Sequence, residues 1–252
     1  MPVRIAVIAE AEPDRRQICE MVDRKVMDHA PDWWGREQLE EEREYCGLIP
    51  ETLFTRWTEL RSLPSPEGAL RRGGFIGFPK GKQRHYDYPL ARKALNGCVL
   101  ASPRIDAAIL VRDMDQQPNE RAESLEQACN EISPNALSVV LALPTAKREA
   151  WVLNGFDPRD RNEEKVLAVV RRELGYDPRM SPERLDAMKH GAKHDAKRVL
   201  GILLGEDRDH DRELQCWQET PWTVLRERGK GSRLTDFLTD VKDRLVPRII
   251  GA

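Results

Sequence analysis

The chain has 252 residues, enough for one substantial core with appended elements. Its 40% hydrophobic and 33% charged content reads as globular, and no apolar run approaches the roughly 18 residues that a membrane-spanning helix needs. A net charge of -2, from 41 basic and 43 acidic side chains, excludes a globally basic nucleic-acid glue but leaves room for a local basic face.

The opening MPVRIAVIAEAEPD turns acidic too soon for a signal peptide, so the cytoplasm is the expected compartment. Within it, residues 3–9 predict a buried strand. The next stretch predicts a helix with Pro13 near its start and Ile18, Met21, Val22 and Val26 as its apolar stripe. Residues 30 to about 90 are broken by Pro, Gly and Trp and predict irregular structure. Their end is basic: Arg71, Arg72, Lys80, Lys82, Arg84, Arg92 and Lys93 stand against Asp87 alone, interleaved with Phe75, Phe78, His85, Tyr86 and Tyr88. That mixture suits phosphate contact and base stacking, with Lys80, Lys82 and Arg84 as its centre. The segment YPLARKALNGCVL predicts a short helix.

Residues 105–112 predict a second buried strand, residues 119–131 a helix and residues 137–144 a third strand. Alternating strands and helices with continuous apolar strands imply a parallel sheet covered on both faces, hence an α/β fold. Ligands of such sheets bind at the C-terminal strand edge. The residues expected there are acidic: Glu10 after the first strand, Asp113 and Asp115 after the second, Glu149 after the third. In an extended segment residues i and i+2 point the same way, so Asp113 and Asp115 can converge on one ligand. Two such carboxylates repel unless a cation stands between them, and Mg²⁺, which prefers carboxylate and water oxygens, is the simplest.

From about residue 156 the pattern is helical, in RNEEKVLAVVRREL, SPERLDAMKHGAKHDAKRVLGILL and RLTDFLTDVKDRLVPRII. The expected organisation is an α/β core over residues 1–155, with an irregular insertion at about 30–100, and a helical C-terminal region, 156–252, packed on it. Cys19, Cys46, Cys98, Cys129 and Cys216 are odd in number and form no Cys-x-x-Cys pair, which points to reduced structural thiols.

VIAEAEPD resembles the opening motif of the Toprim domain, with Glu10 and Asp14 at the motif's acidic positions, and ILVRDMD resembles its second motif, a strand ending in Asp113 and Asp115. LPTAKREAWVLNGF resembles a Glu-x-Trp segment, here Glu149 and Trp151, of small stand-alone Toprim-like proteins. The resemblance covers about residues 3–155. Ala11 stands where Gly is usual, and about 100 residues separate Glu10 from Asp113. What the resemblance implies is a Toprim-like parallel sheet and a nuclease that cleaves DNA or RNA phosphodiesters with Mg²⁺ or Mn²⁺. Asp113 and Asp115 would hold the ion and Glu10 would bind a second ion or transfer a proton, while Glu149 would complete the metal shell. Stand-alone Toprim-like proteins are similar to effector subunits of bacterial anti-phage defence systems, which implies a possible ATPase partner. The alternative is a non-catalytic metal- or nucleotide-binding subunit of a larger complex.

Lys189, Lys193 and Lys197 recur at a spacing of four, and on a helix they would line one face, extended by Arg198, with Lys193 and Lys197 the expected contacts to nucleic-acid phosphates. His190 and His194 share that spacing, but no Glu lies where a zinc protease needs one. The acid-rich EDRDHDRE, residues 206–213, predicts an exposed connector, and GKGS at 229–232 lacks the strand and glycine spacing of a phosphate-binding loop.

Overall fold

A computed structural model of the chain describes residues 1–64, 87–115, 118–205 and 210–251. Its centre is a parallel sheet of β1 (Val3–Ala9), β2 (Arg43–Cys46), β3 (Thr55–Arg56), β4 (Ala107–Val111) and β5 (Ser138–Ala142), ordered β2-β1-β4-β5, with β3 paired to the C-terminal end of β1. The α/β expectation holds, and the three apolar runs are its strands β1, β4 and β5. The stretch expected to be irregular supplies β2 and β3. They escape an apolar search because Cys46 is the one buried residue of β2 and Thr55 the one buried residue of β3.

The helices are α1 (Glu12–Met27), α2 (Arg36–Glu42), α3 (Asp87–Leu100), α4 (Pro118–Asn130), α5 (Glu149–Gly155), α6 (Arg161–Leu174), α7 (Ala196–Leu204), α8 (His210–Gln218), α9 (Trp222–Arg228), α10 (Leu234–Asp240) and α11 (Val246–Ile250). None of the described helices is long and apolar enough to cross a membrane.

Side chains of β1 and β4 alternate between two cores, as a pleated strand requires. Val3, Ile5, Val7, Ala9, Ile109 and Val111 join the larger core, with Ile18, Met21 and Val22 of α1, Trp151 of α5 and residues as far as Ile249. Ala6, Ile8, Ala108 and Leu110 join the smaller one, with Ala91 and Leu95 of α3 and Leu125 of α4. The helical C-terminal region is thus continuous with the larger core, where Trp151 and Phe237 stack at 5.1 Å.

One helix differs from expectation. SPERLDAMKHGAKHDAKRVLGILL forms a 3-10 turn at Pro182–Arg184, then a non-helical hairpin-like turn, and becomes helical only at Ala196. Gly191 takes φ +76, and Asp195 accepts from the backbone N–H groups of Gly191 (2.8 Å) and Lys197 (3.1 Å), so a buried cap starts the helix where periodicity predicted its middle. The end of EDRDHDRE is likewise no exposed connector: Arg212 and Glu213 are buried on α8.

Candidate active site

Glu10 directly follows β1, and Arg112, Asp113, Met114 and Asp115 follow β4. The parallel register Ile8↔Leu110 brings Glu10 level with Arg112. Pairing continues past the strands, since Met114 bridges Thr145 and donates its N–H to the Pro144 carbonyl at 3.0 Å, so the chain is still extended at the Asp-x-Asp. After β5 the backbone makes a tight three-residue turn: Lys147 N–H donates to the Thr145 carbonyl (3.2 Å) around Ala146 at φ +67. Such a γ-turn at a non-glycine residue is strained, and it swings Lys147, Arg148 and Glu149 onto the sheet edge.

Asp113 lies at the focus. Its Oδ1 accepts the Arg148 backbone N–H at 3.0 Å. Burial pushes its carboxyl well above the usual range, and the charges of Glu10, Asp14, Glu149 and Asp115 push it further. Asp14, in the first turn of α1, is pushed up to about 6, chiefly by burial, although the Arg148 guanidinium (3.5 Å) and the Ala11 N–H (2.9 Å) act the other way. Glu149 is 1% exposed. Glu10, Asp115 and Glu149, expected at this edge, thus bear electrostatically on Asp113, and Asp14 joins them.

Arginines hold several of these groups apart. Glu10 pairs with Arg112 at 3.0 Å, Arg112 with the fully buried Asp87 at 3.2 Å, Asp87 with Arg121 at 2.8 Å and Arg121 with Asp115 at 3.1 Å. Strand alternation explains the division between Glu10 and Asp113 but not Asp115, which alternation would set beside Asp113 and which Arg121 of α4 draws to itself instead. Glu10 follows Ala6 and Ile8 onto the α3 and α4 face, where Arg112 also lies over the Trp57 ring, 5.3 Å from its centroid. Asp113 follows Ile109 and Val111 onto the α1 and α5 face. Among the described residues no three His, Cys, Asp or Glu side chains converge as a ready metal set.

The arginine partners and Asp87, the lone acid of a basic stretch, carry no signal of this role in the sequence. Arg112, Arg121 and Arg148 look like ordinary solvated charges until packing shows which carboxylates they meet.

Lys147 reaches across to the fully buried Asp195 (3.3 Å) and to the Ala187 carbonyl (3.4 Å). The turn that carries Lys189, His190 and Lys193, all exposed, is thereby pinned to the segment that delivers Glu149. Lys193 thus sits on this turn and Lys197 in the first turn of α7, rather than along one helical face as expected. His194 meets the Tyr176 hydroxyl at 3.5 Å. Ser232, in GKGS, accepts from Thr145 N–H and from the Trp151 indole through its carbonyl, a structural role beneath the γ-turn. Lys80, Lys82 and Arg84 lie outside the described residues.

Compared with known proteins, the chain matches no family model, no curated protein and no solved structure.

Proposed function

We propose that the protein is a Mg²⁺- or Mn²⁺-dependent nuclease of Toprim type that cleaves DNA or RNA phosphodiesters. The observation that carries this reading is the acidic character of the C-terminal sheet edge, where the charges of Glu10, Asp14, Asp115 and Glu149 all bear on the buried Asp113. Carboxylate oxygens are the donors a hard divalent cation prefers, and a cation relieves the repulsion among them. The donor types suit such an ion, although no three of them converge among the described residues, so the side chains would have to close on it. Asp113, Asp14 and Glu149 would hold the ion, with Asp115 and Glu10 joining if their arginine partners yield. A bound ion would supply Lewis-acid stabilisation of charge on the phosphate.

The chain's own residues do the rest. Glu10, 39% exposed, is the carboxylate open enough to take or give a proton at the reacting phosphate. Arg112 orients it while anchored to Asp87, and Trp57, whose indole N–H donates to the Val111 carbonyl at 2.7 Å, holds this side of the edge. The turn with Lys189 and Lys193 offers cations for flanking phosphates. The Toprim resemblance extends the reading to an effector beside an ATPase partner.

A second reading, a non-catalytic metal- or nucleotide-binding subunit, is favoured by the pairing of Glu10 and Asp115 with arginines. Single- and double-stranded DNA and RNA, incubated with the protein in Mg²⁺ or Mn²⁺, alone and with any co-purifying ATPase, separate the two. Cleavage that EDTA abolishes supports the nuclease. Metal binding without cleavage under every condition supports the subunit.

Two results follow for variants. Glu10→Gln is expected to suppress cleavage while leaving Mn²⁺ affinity within a few-fold of the parent's, since its proton-transfer role is lost and the carboxylates around Asp113 remain; calorimetry beside the cleavage assay checks it. Replacing Lys80, Lys82 and Arg84 by Ala is expected to weaken nucleic-acid binding and make its salt slope shallower by about 2 to 3, each phosphate contact adding roughly 0.7 to 0.9. An unchanged slope over several salt concentrations moves the contact surface elsewhere.

A further inference from the structure

Behind the acidic cluster, where α1, α5 and α8 meet, Arg148 is the hub. Its Nη1 donates to Glu213 Oε2 at 2.9 Å and to Gln17 Oε1 at 3.2 Å, its Nε lies 3.5 Å from Asp14 Oδ1, and its backbone N–H holds Asp113. With a tenth of its side chain exposed, Arg148 is too buried to meet a substrate phosphate and acts through the two aspartates.

Three further polar atoms stand beside this hub: Gln17 Nε2, Glu213 Oε1 and Trp217 Nε1 are buried and have no hydrogen-bond partner among the described residues. The three residues are 2%, 3% and 1% exposed, so bulk solvent does not satisfy them. A buried polar group left unsatisfied is costly, and a native fold rarely tolerates three in one place. The three side chains, with Pro13, Arg16, Arg148 and Leu214, line a pocket of about 20 Å³, partly open to the surface, with room for one water molecule. The chemistry selects water. Gln17 turns its carbonyl oxygen to Arg148, which leaves its amide N–H as a donor. The Trp217 indole donates and Glu213 Oε1 accepts. A cation there would face two N–H groups and an anion would face a carboxylate, whereas water accepts twice and donates once.

We propose that Glu213 is a positioning residue of the acidic cluster, acting through Arg148 and through one ordered water held by Gln17, Glu213 and Trp217. Glu213 draws the guanidinium toward α8, where Nη1 meets Glu213 at 2.9 Å while Nε stands 3.5 Å from Asp14. Without that charge the guanidinium is free to fold onto Asp14 and Asp113 and to compete with a cation. Through this contact α8 sets the electrostatics of the acidic edge. The cation part of the inference rests on the proposed metal-dependent reading; the water and the coupling do not.

Three measurements on the full chain decide it. A crystal structure that resolves waters is expected to show one within hydrogen-bond distance of all three side chains; an empty cavity, or side chains turned to other partners, overturns the water site. In the metal-free protein, unfolding free energies of Glu213→Gln, Asp14→Asn and the double variant are expected to be non-additive, because both groups share Arg148; additivity within error overturns the coupling. By calorimetry, Glu213→Gln is expected to bind Mn²⁺ about tenfold more weakly, and Glu213→Asp to recover to within about threefold of the parent. Unchanged affinity in Glu213→Gln overturns the positioning role. A parent protein that binds no Mn²⁺ defeats the metal-dependent reading itself, while the first two measurements still decide the network.

Discussion

Asp113→Asn is expected to raise the melting temperature of the metal-free protein while cutting strand cleavage by a hundredfold or more. Asparagine keeps the size of the side chain and an oxygen to accept the Arg148 N–H now bound by Asp113 Oδ1. What it removes is a carboxyl that burial and four neighbouring acidic groups push well above its ordinary range. Relief of an unfavourable charge contact typically stabilises by about 0.5–2 kcal/mol, and for a domain this size each kcal/mol moves the midpoint by roughly 2–4 °C. The same substitution takes away the carboxylate at the focus of the cluster. An ion that stabilises transition-state charge supplies several kcal/mol, and about 1.4 kcal/mol is tenfold in rate. Thermal unfolding in EDTA and cleavage in Mn²⁺, measured on one preparation, check both halves. A lowered midpoint together with undiminished cleavage would remove Asp113 from the chemistry.

The metal-free protein is also expected to lose stability as pH rises from about 4 to 7, and added Mn²⁺ to restore it most at the upper end. Asp14 titrates near 3.8 when unfolded and at about 6 in the fold. The folded state therefore holds this proton more tightly. Its contribution is full below the unfolded value and is lost as pH climbs through the folded one, by about 3 kcal/mol for a shift of this size. Asp113 and Asp240, both raised, act in the same direction. Carboxylates that arginines or backbone N–H groups hold low, Asp177 at about 2 and also Asp195 and Glu163, lose their stabilisation only as pH falls below the ordinary carboxylate range, so they do not mask the effect. A ligand at a hundred times its dissociation constant adds about 2.7 kcal/mol, and a cation competes better once the carboxyls have shed their protons. Melting curves at pH 5 and 7.5, with Mn²⁺ and with EDTA, test this. Asp14→Asn is expected to flatten the EDTA profile; a profile that rises with pH in the parent contradicts the assigned charge state.

The parts of this fold that sequence reveals are those written in apolar runs. VRIAVIA, AAILV and SVVLA declare buried strands because each is covered on both faces, and their order fixes which carboxylates reach one edge. β2 carries no such signal. It is held by parallel pairing to β1 and by polar contacts, with Arg43 forked onto Asp23 at 2.9 and 2.5 Å and the Tyr45 hydroxyl on Asp23 at 2.8 Å. The Lys189 to Lys197 spacing imitates a helix because periodicity is blind to a buried aspartate that caps the following turn. At the candidate site, the strand ends made Glu10, Asp113, Asp115 and Glu149 legible. The side of the sheet on which each falls, and the arginine it meets, depend on alternation past the last paired residue and on helices distant in sequence. That is why Asp87, Arg121 and Arg148 appear only in three dimensions.

The most direct test of the acidic cluster as a cation-dependent centre is the anomalous signal of a crystal soaked in Mn²⁺. The expected result is a peak within coordination distance of the Asp113 carboxylate, shared with at least one of Asp14, Asp115 and Glu149, or with Glu10 turned away from Arg112. Mn²⁺ bound only elsewhere, with the pairs Glu10 to Arg112 and Asp115 to Arg121 intact and no peak at Asp113, would contradict it.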